Sequence, residues 1–217
     1  ARSSENCCSV TKVKICGVTN WEDALASCEA GADAIGFNFA DEARPRNRYI
    51  EPEEARRILR DLPPFVTSVA VCVNEDKSRI ADYLEFIDCV QLHGEESVAY
   101  AAPLGHRAIK AFRTGPGFSV EQLMAYDNRA WLVDAWHPNA RGGTGQHADW
   151  AAARDAVSTG KPVILAGGLN PDNVAAAIEA VRPYAVDTAS GVESAPGKKD
   201  HERIRRFIDH AREASLS

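Results

Sequence analysis

From Val13 almost to the C-terminus, short β-type runs alternate with helical patterns, which restricts the chain to folds made of repeated β-α units. The strand candidates are 13–17 (VKICG), 34–39 (AIGFNF), 68–73 (SVAVCV), 89–94 (CVQLHG), 108–113 (AIKAFR), 131–136 (WLVDAW), 162–168 (PVILAGG) and 184–191 (YAVDTASG). Several are nearly continuously apolar, as parallel strands covered by helices must be, whereas a sheet face open to water would alternate. The stretches between them carry helix start signals at Asn20, Glu51-Pro52, Asn74 and Asn170-Pro171. Gly31 is placed to end the first helix, and HERIRRFIDHAREA supplies the last.

Eight such units in 217 residues predict a single (β/α)8 TIM barrel with short helices. An open doubly wound sheet is the alternative, but its GxGxxG fingerprint is missing from KICGVTN, which has one glycine. Residues 1–12 read as a flexible N-terminal leader and 13–217 as the barrel's catalytic domain. The net charge of −6 gives no means of recruiting nucleic acid or an anionic membrane surface, so any anionic ligand must be held locally. No apolar run approaches the roughly 18 residues of a membrane span, and the leader lacks a secretory core. The reading is a cytoplasmic protein, with a monomer expected over a dimer. The six cysteines are irregularly spaced and match neither a disulfide framework nor a zinc site, so no metal is expected.

In a barrel, the C-terminal strand ends form the active face. Those ends are polar here: Cys16-Gly17, His93-Gly94, Asp134, Gly167-Gly168, Asp187 and Ser190-Gly191. Glycines gather on the last three units, with Gly142, Gly143 and Gly145 after strand six, Gly167 and Gly168 after strand seven, and Gly191 after strand eight. Backbone N–H groups of such loops encircle anions, which implies a phosphorylated small-molecule substrate. RGGTGQ is no Walker loop, because Gln146 stands where lysine must be. Cys16 and Asp134 end strands well separated around the ring, a placement that suits a base and an acid acting on one substrate. Asp134 follows an apolar run, where burial favours its protonated form. His93 reads as a hydrogen-bonded structural imidazole before a proton carrier, and its place on the active face makes it a substrate-binding candidate.

Taken together, KICGVTNWEDA, QLHGEE, LVDAWHPNARGGTG, ILAGGLNPDNV and VDTASGVESAPGKKD resemble the phosphoribosylanthranilate isomerase family of tryptophan biosynthesis. The resemblance runs from about Val13 to Ile208. It implies a cofactor-free Amadori rearrangement of N-(5-phosphoribosyl)anthranilate, with Cys16 as general base and Asp134 as general acid. It further implies Arg48 at the anthranilate carboxylate, with Arg44 and Arg46 on the same link as further candidates, and Asp187 near the sugar hydroxyls. Gly167, Gly168, Ser190 and Gly191 fall on the family's phosphate loops. A cysteine base must be thiolate, for which Lys14, the bound iminium or backbone donors are candidate stabilisers. The rival readings are a related sugar-phosphate isomerase barrel and a non-catalytic phosphate-binding barrel; retention of both Cys16 and Asp134 argues against the latter.

Overall fold

All eight apolar runs form strands of one closed parallel barrel: β1 Lys12–Cys16, β2 Ala34–Asn38, β3 Thr67–Cys72, β4 Cys89–Leu92, β5 Ala108–Thr114, β6 Ala130–Ala135, β7 Val163–Leu165 and β8 Ala185–Thr188. The computed structural model describes residues 10–135 and 149–216. Each strand pairs with the next, and β8 closes the ring on β1, with Lys14 opposite Asp187. Side chains alternate between two apolar layers, as successive residues of a strand must. On β7, Val163 and Leu165 join the layer between strands and helices, whereas Ile164 joins Leu132, Ile109 and Val69 in the layer that fills the barrel.

The outer ring is formed by α1 Trp21–Glu29, α2 Pro52–Asp61, α3 Lys77–Tyr83, α4 Val98–Ala101, α5 Val120–Met124, α6 Trp150–Val157, α7 Val174–Val181 and α8 His201–Ala214. Two of the four start signals act as read: Asn20 caps α1 by accepting from the Asp23 N–H, and Pro52 stands in the first turn of α2. The other two lie upstream of the actual caps. Asn74 adopts a left-handed φ of 50°, and its side chain accepts from the Glu95 N–H, so α3 starts only after Asp76. Asn170 donates its N–H to the side chain of Asn173, which is the residue preceding α7. The helix α1 gives way at Ala30, one residue before Gly31 with its φ of 95°.

Three further differences separate the structure from the sequence reading. Thr11, assigned to the leader, is buried, with its N–H donating to Ser215 and its carbonyl accepting from Arg212. Residues 1–9 lie outside the described residues. Strand β7 stops at Leu165 because Gly167 and Gly168 turn the chain at φ 88° and 66°. After β8 the chain enters a 3-10 turn, Ser190–Val192, and then a small antiparallel hairpin that the apolar pattern did not reveal: β9 Glu193–Ala195 with β10 Lys198–Lys199. Among the described residues Cys16, Cys28, Cys72 and Cys89 are free thiols, and no helix is long and apolar enough to cross a membrane.

Candidate active site

A pocket opens at the C-terminal ends of the strands and brings together Cys16 of β1, His93 after β4, Asp134 of β6 and Asp187 of β8. Arg48, Arg46, Gly167, Gly168 and Ser190 complete its rim. Gly191 does not line it. A side chain there would run into the Leu169 carbonyl, so this glycine lets the 3-10 turn pack on the loop that follows β7. Gly142, Gly143 and Gly145 lie outside the described residues.

Cys16 is buried, and Gly36 on the neighbouring strand makes space for it: a Cβ at Gly36 would fall 2.7 Å from Cys16 Sγ and 3.1 Å from Lys14 Cε. Burial pushes the Cys16 thiol above its ordinary range; Lys14 pulls it down, Asp187 adds to the rise, and Lys199 helps Lys14. Lys14 is named in the sequence reading as a candidate stabiliser of the thiolate. Its ammonium is hydrogen-bonded to the sulfur and also donates to Asp187, at 2.8 Å inside the barrel. Burial alone would disfavour its charge, and the neighbouring Asp187 and Cys16 more than reverse this.

Across the pocket, Asp134 Oδ1 accepts from the Ala135 N–H at 2.8 Å while Oδ2 lies 3.4 Å from His93 Nε2. Gln91 Nε2 is 3.1 Å from His93 Nδ1. An amide nitrogen only donates, so this contact makes Nδ1 an acceptor and leaves an imidazole proton on Nε2, facing Asp134. Gln91 is 2 % exposed, and its Oε1 has no hydrogen-bond partner among the described residues. Sequence reasoning passed over Gln91, although its place two residues before His93 on an alternating strand puts both on the inner face.

Arg48 reaches the pocket over Gly17, where a Cβ would sit 3.2 Å from its Cδ. Its Nε and Nη2 both donate to Glu193 at 2.8 Å. Of the two other candidate arginines, Arg46 lines the pocket. Arg44 donates to Asp41 and stacks on Tyr49, 3.4 Å above the ring centroid, and is absent from the lining. Glu193 and Lys199 were also missed, because their hairpin carries no apolar period. Among the described residues no group of three or more His, Cys, Asp or Glu side chains could hold a metal ion.

A closed (β/α)8 barrel whose C-terminal mouth unites a thiol, a histidine-contacted aspartate, an arginine and a pair of left-handed glycines has the build of a barrel enzyme for small anionic substrates. Residues 13–210 match the family described as N-(5'phosphoribosyl)anthranilate (PRA) isomerase. The N-(5'-phosphoribosyl)anthranilate isomerase of Citrifermentans bemidjiense is 50% identical over 210 residues, covering 95% of this chain and 100% of that protein. The crystal structure of the Thermus thermophilus phosphoribosyl anthranilate isomerase superposes with a TM-score of 0.84 at 40% identity, covering 95% and 100% of the two chains. A further structure of such an isomerase, in complex with reduced 1-(o-carboxyphenylamino)-1-deoxyribulose 5-phosphate, gives 0.79 at 43% identity, covering 93% and 98%. The chain belongs to the phosphoribosylanthranilate isomerase family.

Proposed function

We propose that this chain catalyses the Amadori rearrangement of N-(5-phosphoribosyl)anthranilate to 1-(2-carboxyphenylamino)-1-deoxyribulose 5-phosphate in tryptophan biosynthesis, with Asp134 as general acid and Cys16 as general base. The observation that carries this reading is the placement of a buried thiol on β1 across one pocket from the Asp134–His93 pair. Protonated Asp134 gives its proton to the furanose ring oxygen. The C1–O bond breaks, and the nitrogen lone pair forms the C1=N iminium. Cys16 thiolate then takes the C2 proton; those electrons form C1=C2 and the iminium pair returns to nitrogen, leaving an enolamine. Ketonisation moves a proton onto C1 and releases one from the C2 hydroxyl. The carboxylate left on Asp134 accepts from the Ala135 N–H, with the imidazole Nε2 3.4 Å from its other oxygen.

The thiol that burial pushes up gains its counter-charge from the substrate, because the iminium is cationic beside the sulfur that must ionise. At the other end of the substrate, Arg48 pairs with the anthranilate carboxylate, and Arg46 shares the rim. Gly167 and Gly168 present backbone N–H groups with Ser190 to the phosphate. Asp187 faces the sugar while it holds Lys14, and the unpartnered Oε1 of Gln91 accepts from a sugar hydroxyl.

Turnover is followed by loss of the substrate's anthranilate fluorescence. Cys16→Ser is expected to abolish it while ligand affinity stays within about tenfold, since an alcohol is a far weaker base than a thiolate. Asp134→Asn should cost roughly two to four orders of magnitude in kcat, the usual worth of one general acid. A Cys16→Ser protein retaining more than about a tenth of the wild-type rate would exclude the thiolate as base.

A further inference from the structure

The Arg48 end of the pocket rests on a buried charge cluster that the steps above do not use. Glu193 opens β9 and receives the guanidinium through two parallel bonds of 2.8 Å, and Lys199 on β10 lies 3.1 Å from the same carboxylate. The side chains of Lys199, Glu193 and Arg48 are 0%, 5% and 9% exposed. Lys199 Nζ also donates to the Cys16 carbonyl at 2.6 Å and the Ala189 carbonyl at 3.0 Å. Three acceptors surround Nζ, which matches the three donors of an ammonium. One lysine therefore ties the end of β1, the end of β8 and the carboxylate that holds Arg48. The next buried carboxylate, Asp23, accepts from the Lys199 backbone N–H at 3.1 Å and pairs with His201 at 2.8 Å. Among the described side chains, two buried cations thus face the Glu193 carboxylate itself, in a place that solvent and salt screen poorly; burial draws the Lys199 ammonium below its ordinary range, and Glu193 favours its charge.

We propose that the β9–β10 hairpin sets substrate specificity: Glu193 fixes the plane of Arg48, and Lys199 supplies the excess charge that makes this end of the pocket select a carboxylate-bearing ligand. Neither residue touches the ligand; both are positioning residues that act through Arg48, and the inference rests on the Arg48 reading above. The two parallel bonds from Nε and Nη2 define the guanidinium plane, which a single-point contact would not. A ligand carboxylate brings the cluster to neutrality, whereas an uncharged isostere leaves it unbalanced.

The test uses two probes, reduced 1-(o-carboxyphenylamino)-1-deoxyribulose 5-phosphate and its carboxamide counterpart, titrated against the whole chain by calorimetry. The wild type should prefer the carboxylate by at least about tenfold. Lys199→Met should reduce that preference by about tenfold and leave carboxamide affinity within about threefold. Glu193→Asp keeps the net charge but withdraws the carboxylate by one methylene; it should raise KM about fivefold with kcat within about twofold, and it decides the matter if Lys199→Met does not fold. Equal losses for both probes in Lys199→Met, or unchanged KM in Glu193→Asp, would reduce the hairpin to a structural support. A wild type without any carboxylate preference would instead sink the role given to Arg48.

Discussion

Cys16 shows how a residue's surroundings set its chemistry. Its sulfur sits beside an ion pair of which Lys14 favours the thiolate and Asp187 opposes it, and burial tips the balance toward the neutral thiol. The reactive form is therefore scarce near neutral pH in the free protein. The sign of the pH dependence follows: a base whose pKa is raised gains its active form as pH rises. In Asp134→Asn, where no acid titrates against the base, the logarithm of the residual kcat/KM should climb with a slope of about one from neutral pH toward the raised thiol pKa, which is a tenfold gain per unit. A pH–rate profile at substrate concentrations well below KM checks this. A profile flat from pH 7 to pH 9 would mean that Cys16 is already ionised or does not act as the base.

Among the elements, β5 has a positioning task of its own. Lys110 is buried and donates to the Leu92 and Gly94 carbonyls and to Glu96, while Glu96 accepts from the Asn74 and Gly94 N–H groups. One ion pair thus fixes the loops after β3 and β4, and with them His93. Burial alone would raise the Glu96 carboxyl, but Lys110 and the backbone donors hold it below its ordinary range. Removing only one partner strands the other charge away from water. Lys110→Met should therefore cost about 3–5 kcal/mol, and the double variant Lys110→Met with Glu96→Gln should recover a good part of it. Thermal melts of both proteins check this, with a fall in Tm of roughly 10 °C expected for the single variant. A double variant no more stable than the single one would show that packing, rather than the stranded carboxylate, sets the cost.

For the whole molecule, closure of the ring makes the last helix indispensable to the first strand. Helix α8 buries Ile204, Phe207, Ile208 and Ala211 in the layer around β1, and Arg212 reaches the Thr11 carbonyl and Asp33. Its two isoleucines and phenylalanine contribute about 1.5–3 kcal/mol each, a sum comparable with the roughly 5–15 kcal/mol that holds a whole domain. Truncation after Asp200 should accordingly abolish the cooperative melt instead of merely lowering its midpoint. Circular dichroism with a temperature ramp reads this directly, and a truncated chain that still unfolds in one sharp transition would show that the barrel closes without α8.

Much of this was legible in the chain itself. Apolar runs of strand length separated by amphipathic stretches are local patterns, so the eight strands and their class followed from them, and the positions of Cys16, His93, Asp134 and Asp187 at strand ends followed in turn. Helix starts were legible where the cap is a local bond, as at Asn20, and misread where the side chain serves another loop, as at Asn74. The glycines were legible as a group but not in their separate tasks: Gly167 and Gly168 turn the chain at the pocket, while Gly191 is needed for the approach to Leu169. What only the tertiary structure decided is which charges meet. Lys14 finds Asp187 across 173 positions, and Arg48 finds Glu193 across 145. Such pairs have no signature in periodicity or spacing, because ring closure brings the two ends of the chain together and only then fixes the partners that set the pocket's electrostatics.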